Sequence, residues 1–283
     1  MNAPTRTWRD VRLTLLYLAR LANCFARSPA EGLDQVRKQV SVVRARHAPR
    51  GGCTADIAWS RTLHDLLEVP WPCSEEAEFS ERWPEILDPL RHLEGPAHVT
   101  YDADRTLAHA SWCVLRHLRP VNVIETGVAR GVTSRVLLEA LERNSGGHLW
   151  SIDLPPIEQR WAWQVGVAVP DRLRHRWTYL RGSSRRLLPE LCDKLKQVDV
   201  FVHDSLHTEP NVRFELLTAW AALRPGGVVI ADDVDHSRGF ESLLPRLPDA
   251  TSVVASQAEK GGTIGIIVKR RVSELASRPS GAP

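Results

Sequence analysis

The sequence predicts an α/β protein built on a doubly wound, mostly parallel seven-stranded sheet, and three observations lead there. Helical and β-rich segments alternate from Arg105 to Ala231, the pattern of parallel strands joined by right-handed helical crossovers. A turn with two glycines, Glu125-Thr-Gly-Val-Ala-Arg-Gly131, falls between the first of these strands and the next helix. Acidic residues follow three later strands, at Asp153, Asp204 and Asp232-Asp233, where such folds place their ligand-binding groups.

The 283 residues suit one sizeable α/β domain and a smaller extension. Three parts are expected: a helical N-terminal extension over 1–104, the sheet domain over 105–271 and a flexible tail over 272–283. From Trp8 to Phe25 the apolar residues Val11, Leu15, Leu18, Ala22 and Phe25 recur at helical spacing among Arg9, Arg12 and Arg20. This amphipathic helix suits docking on the chain's own core, on a second copy or on a membrane surface. The apolar run Leu13 to Ala19 is cut short by Arg20 with no small-residue cleavage site after it, which argues against a signal peptide. No stretch is long enough to span a bilayer.

A second basic helix is expected over Gln35 to Arg46, then a break at Ala48 to Gly52. Thr54 to Tyr101 holds Trp59, Trp71 and Trp83 among the breakers Pro70, Pro72, Pro84 and Pro89, predicting short helices and ordered loops. A helix from Arg105 to Leu118 ends before Pro120. After it come strand Val121 to Glu125, helix Thr133 to Arg143, strand His148 to Ile152, strand Trp177 to Leu180, helix Arg185 to Leu195 and strand Val198 to Val202. Helix Asn211 to Leu223 and strand Val228 to Ala231 complete the alternation. Ser252 to Ala255 and Thr263 to Lys269 then read as an antiparallel hairpin at the sheet edge.

The net charge of +3 comes from interspersed acids and bases, without the concentrated basic face that nucleic acid demands. The five cysteines are scattered with no CxxC pair, so they read as incidental thiols of a reducing cytoplasm.

The residues with chemistry to offer lie at the strand ends. Gly127 and Gly131 let the backbone turn sharply and approach a ligand, though the position of a second glycine in a dinucleotide-binding GxGxxG is Ala129. Asp153 stands where an acid can grip two ribose hydroxyls, and Gly182-Ser-Ser184 follows the third strand, near the expected base. Neighbouring strands lie about 4.8 Å apart, so Asp204, Asp232 and Asp233 can converge. Crowded carboxylates repel and raise their own pKa values. A hard divalent cation relieves that, and oxygen-only ligands favour Mg²⁺. The competing reading has these acids capping helices or pairing with Arg213 and Arg238. His207, one helical turn beyond Asp204, suits a general base near neutral pH; His203 is the weaker candidate, expected on the opposite face of the strand.

These residues resemble the motifs of class I S-adenosylmethionine-dependent methyltransferases, over about Arg105 to Lys269. Glu125 to Gly131 resembles the cofactor loop, Asp153 the ribose-binding acid, and Leu223-Arg-Pro-Gly-Gly-Val-Val-Ile-Ala-Asp-Asp233 the approach to the fifth strand. Asp204 with Asp232 and Asp233 is similar to the metal site of the magnesium-dependent O-methyltransferases. The spacing Asp204-Ser-Leu-His207 is closer to the group acting on sugars and natural products, whose base histidine follows a metal aspartate by three residues. The catechol enzymes usually have Asn where this chain has Asp233.

The resemblance implies a Rossmann-like catalytic domain transferring a methyl group from S-adenosylmethionine to a hydroxyl of a glycoside, polysaccharide or glycosylated natural product. A catechol or phenol is the second choice of acceptor. Glu125, Gly127, Arg130, Gly131, Asp153, Ser183 and Asp204 are expected at the cofactor, Asp204, Asp232 and Asp233 at Mg²⁺, and His207 with Asp204 at the reacting oxygen. Trp161 and Trp163 are candidates for stacking on sugar. A small-molecule or oligosaccharide partner, a homo-oligomer and a cytoplasmic location complete the expectation. The alternatives are a nicotinamide-dependent oxidoreductase and a non-catalytic binding protein of the same fold.

Overall fold

The computed structural model describes residues 8–90, 103–157, 163–247 and 249–270. Two helices open the chain: α1 (Trp8–Arg27) and α2 (Pro29–Ala45). Ser28 separates them, its side chain accepting from the Glu31 N–H with proline in the first turn that follows, a strong helix start. That start places α2 six residues ahead of the expected Gln35, because capping rather than apolar periodicity sets it. The Trp- and Pro-rich segment contributes α3 (Trp59–Leu67) and α4 (Glu76–Leu87). No described helix is long and apolar enough to cross a membrane.

Next comes α5 (Arg105–Leu118), capped by the Asp104 carboxylate and closed by Arg119 in left-handed conformation ahead of Pro120. The alternation follows as β1 (Asn122–Thr126), α6 (Val132–Arg143), β2 (His148–Asp153), β3 (Trp177–Arg181), α7 (Ser184–Leu195), β4 (Val198–His203), α8 (Glu209–Ala222) and β5 (Leu223–Ala231). The hairpin β6 (Ala250–Ser256) and β7 (Thr263–Lys269) ends the sheet. Its order is β3-β2-β1-β4-β5-β7-β6; β7 alone pairs antiparallel with the parallel core, on β5, and β6 forms the edge. β5 begins five residues before the expected Val228, since a register shift between Val198 and Val200 lets Leu223 pair with Val198.

Alternating strand residues feed two apolar layers. Val123, Val200, Val202 and Val228 pack with Leu107, Trp112, Leu137 and Leu138 of α5 and α6. Ile124, Phe201 and Val229 pack with Leu188, Leu191, Leu216 and Ala219 of α7 and α8. The thiols are not all incidental as expected: Cys73 and Cys113, forty residues apart, meet at 3.0 Å. The expected tail 272–283 and Trp161 lie outside the described residues.

Candidate active site

The register levels the strand ends. Thr126 pairs with both Ile152 and His203, and His203 pairs with Ala231. The residues that follow, Gly127, Asp153, Asp204 and Asp232, therefore stand side by side along the carboxyl edge. Backbone hydrogen bonds continue across it, from Gly127 N to Ile152 O, Asp204 N to Thr126 O and Asp232 N to His203 O, at 2.8–2.9 Å.

The glycine turn lies directly against the acid loop. Gly127 has φ +87°, and a Cβ there would fall 1.9 Å from the Asp204 carbonyl oxygen. Gly131, at φ +85°, packs within 2.8 Å, measured from its absent Cβ, of the Gly166 Cα. Only glycine meets both demands, a left-handed backbone and a close approach. Asp153 accepts from the Val128 N–H at 3.4 Å and is raised above the usual carboxylate range by burial.

Glu125 is fully buried, and its Oε2 accepts the Ser134 and Ser151 hydroxyls, each at 2.6 Å. Its Oε1 has no hydrogen-bond partner among the described residues, and burial pushes the group up to about 7. Ser183 at the start of α7 likewise keeps a buried hydroxyl without a partner among the described residues. Unmatched buried polar atoms of this kind, beside a glycine turn and an acid, fit a polar nucleoside cofactor. Arg130 runs inward, donating from Nε to Gln164 at 3.1 Å, so it braces the segment over Gly131.

The acids form the second half of the site. The Asp204 carboxyl is raised well above its usual range by burial and by Asp232. Asp232 is pushed up to about 6 by burial and by Asp233. Gln257 of the β6–β7 turn bridges the pair, donating to Asp232 Oδ1 at 2.7 Å and Asp233 Oδ1 at 3.0 Å. Neither arginine considered from the sequence reaches them: Arg213 pairs with Glu209 and Arg238 with Glu241. An all-oxygen set under mutual repulsion fits a hard cation such as Mg²⁺. The three carboxylates are neighbours more openly spaced than His64, Cys73 and Cys113, whose ligand atoms lie within 4.8 Å of one another.

His207 sits over this cluster, Nε2 4.0 Å from Asp204 Oδ1 and 3.6 Å from Asp233 Oδ2. Burial, and then His203, push it down to about 4, so the ring is neutral near pH 7. His203 is closer to this chemistry than its strand position suggests: its ring centroid is 5.4 Å from that of His207, and its Nδ1 lies 2.6 Å from Glu215.

Several residues here carried no sequence signal. Glu215, inside α8, joins the ends of β1 and β4 by accepting from Thr126 and Ser205 as well as contacting His203. Gln257 and His236, the latter 3.4 Å from Asp233, arrive from distant segments. Helix α2 spans the same edge: Glu31 pairs with Arg181, Asp34 accepts from the Ser183 N–H and Arg186, Gln35 donates to Pro155 O, and Ser41 bonds Thr208. Trp163 is 63% exposed.

Comparison with known proteins agrees with this geometry. Residues 124–234 match a family described as a methyltransferase domain. No protein of curated function matches the chain. Among solved structures, a Klebsiella pneumoniae protein assigned as an O-methyltransferase is similar at 16% identity and TM-score 0.52, over 75% of this chain and 98% of that one. The O-methyltransferase TomG of Streptomyces achromogenes, involved in tomaymycin synthesis and solved with SAM, gives 16% and 0.52 over 68% and 90%. The SAH-bound methyltransferase PaMTH1 of Podospora anserina gives 11% and 0.51 over 72% and 98%. These likenesses support a common fold, and the family match covers the strand ends where the glycine turn and the acids meet. Residues 124–234 thus match a methyltransferase domain, carried on a sheet of the fold those solved structures share.

Proposed function

We propose that the chain methylates oxygen, with a divalent cation assisting, and that its acceptor is a hydroxyl of a sugar in a glycoside, polysaccharide or glycosylated natural product. The observation that carries this reading is the placement of the His207 ring over Asp204 and Asp233, on a loop whose backbone touches the Gly127 turn. Base, acids and cofactor loop then share one cleft.

S-adenosylmethionine supplies a sulfonium methyl group for in-line displacement. Around it, Gly127 and Gly131 admit the cofactor to the backbone, Asp153 holds ribose hydroxyls, and Ser183 and Glu125 offer their unmatched oxygens. Asp204, Asp232 and Asp233 would hold Mg²⁺, whose charge would make an acceptor hydroxyl easier to ionise. His207 takes the acceptor's proton at Nε2, its ring held by packing against His203 and His236. Fixing the nucleophile in line removes much of the entropic barrier.

Asp233 favours a sugar over a catechol through the resemblance noted above, and the exposed Trp163 offers a stacking face. The N-terminal helices would select the acceptor. The apolar residues Leu15, Leu18, Val40 and Val43, left exposed on α1 and α2, support self-association.

The deciding experiment is a methyl-transfer assay over glycosides and catechols, with and without Mg²⁺, on the native chain, Asp204→Ala and His207→Ala. Metal-dependent transfer to glycosides, lost in both variants while S-adenosylhomocysteine still binds, is expected. Undiminished activity in chelator would remove the metal from the reading, and preference for catechols would replace the acceptor.

A further inference from the structure

Away from the strand ends, α3, the segment after it and α5 gather a second set of metal-type side chains. Cys73 and Cys113 are free thiols, 8% and 1% exposed, with sulfurs 3.0 Å apart. His64, fully buried, brings a ring nitrogen within 4.8 Å of both. His117 places Nε2 3.6 Å from Cys73 Sγ. Cys113 and His117 are four residues apart on α5 and so share one of its faces.

Three features point to a cation. The Nδ1 of His64 lies 2.6 Å from the Ser60 carbonyl oxygen, which fixes the proton there. Its Nε2, buried and without a partner among the described residues, is left as a bare lone pair. An outer hydrogen bond that orients a histidine in this way is the usual support of a metal ligand, whereas an unmatched buried acceptor is unfavourable. Second, two sulfurs and two imidazole nitrogens are the donor set of four-coordinate zinc. Third, the spacing suits the ion. A tetrahedron with zinc–sulfur bonds of about 2.3 Å and zinc–nitrogen bonds of about 2.0–2.1 Å has sulfur–nitrogen edges of about 3.5–3.6 Å and a sulfur–sulfur edge of about 3.8 Å. The Cys73–His117 separation of 3.6 Å already falls in the first of these ranges. The sulfurs need part by less than about 1 Å, within the reach of small χ adjustments.

We propose that His64, Cys73, Cys113 and His117 form a structural zinc site that fastens α3 and the segment after it to α5. Four protein ligands leave no open position, which marks the site as structural. On binding, each thiol loses its proton to solvent and two thiolate–zinc bonds form, so the divalent charge is balanced inside the protein. The site is separate from the acid cluster. The α5 cap, Asp104, touches the β6–β7 turn at Ala258 to Lys260. Cys113 and His117 lie about 14 and 20 Å farther along the helix axis.

The test begins with the full chain, purified without chelator and passed through gel filtration, and measures its zinc by elemental mass spectrometry. One zinc per chain is expected, retained in Asp204→Ala and lost in Cys73→Ser and Cys113→Ser. Should those variants fail to fold, the native chain loaded with Co²⁺ serves instead: a thiolate-to-cobalt charge-transfer band and a tetrahedral visible spectrum are expected, with a lower Tm after zinc is stripped. A zinc-free chain with a mass two hydrogens low would reveal a Cys73–Cys113 disulfide and overturn the proposal. So would a zinc-free chain with both thiols titratable, zinc undiminished in both cysteine variants, or cobalt loading without a thiolate band.

Discussion

Replacing Glu215 by glutamine tests whether the loop bearing Asp204 and His207 is positioned from beneath by one buried carboxylate. Glu215, Thr126 and His203 are all fully buried. Oε2 accepts from Thr126 Oγ1 and faces His203 Nδ1, both at 2.6 Å, while Oε1 accepts from Ser205 at 2.7 Å and Asn211 at 2.9 Å. The amide keeps one acceptor oxygen and turns the other into a donor, so two of the four contacts fail. At about 1.5–3 kcal/mol net for each hydrogen bond to a charged group, the loss is about 3–6 kcal/mol, a large share of a typical 5–15 kcal/mol stability.

The pH dependence of Glu215 gives a second measure. Burial alone would raise it, but the charge and hydrogen bond of His203, with bonds from Ser184 and Thr126, hold it down at about 2 against an ordinary 4.5. A folded pKa below the unfolded one contributes stability that is present above about pH 4.5 and lost as pH falls toward 2. The depression corresponds to about 3 kcal/mol, in line with the hydrogen-bond sum. Denaturant unfolding of native and Glu215→Gln chains from pH 7 to pH 3 should show a gap of this size at neutrality, narrowing with acid. At neutral pH the variant should also lose methyl transfer while retaining S-adenosylhomocysteine binding. A gap below about 1 kcal/mol at pH 7, or one that widens in acid, would refute the reasoning.

Three further outcomes follow from the same geometry. Gly127→Ala sets a Cβ against the Asp204 carbonyl at a left-handed φ, so S-adenosylhomocysteine affinity by calorimetry should fall at least tenfold, about 1.4 kcal/mol; unchanged affinity would deny that close approach a role. Glu125 is raised by burial to about 7, so its contribution to stability is present below about pH 4.5 and is lost as pH rises through 7. Glu125→Gln should therefore gain on the native chain across that interval, by about 3 kcal/mol at alkaline pH in denaturant unfolding. Asp104, fully buried, accepts N–H groups from Thr106, Ala258, Glu259 and Lys260; Asp104→Ala should destabilise by about 2–3 kcal/mol in thermal unfolding.

By itself the sequence determined the order of the elements from Arg105 to Lys269, because burial in two layers writes a period into each strand and helix that survives in one dimension. It also determined which acids and glycines follow the strands, since strand ends are local features marked by where apolar runs stop. Helix α2 is half legible: its basic body shows in the sequence, but its start is set by the Ser28 side-chain contact with the Glu31 N–H rather than by apolar periodicity. The tertiary structure alone decided which distant groups meet. Glu215 lies in the body of a helix and Gln257 in a turn, so neither has a local pattern; the parallel register of β1, β4 and β5 brings the first beneath the Asp204 loop, and the antiparallel pairing of β5, β7 and β6 brings the second beside Asp232. The same holds for Cys73 and Cys113, whose separation in the chain hid a contact that the packing of α3 and the segment after it against α5 creates. Local chemistry is encoded locally, whereas a site is a coincidence of positions, and those positions are fixed by the long-range pairing of strands and the layers packed upon them.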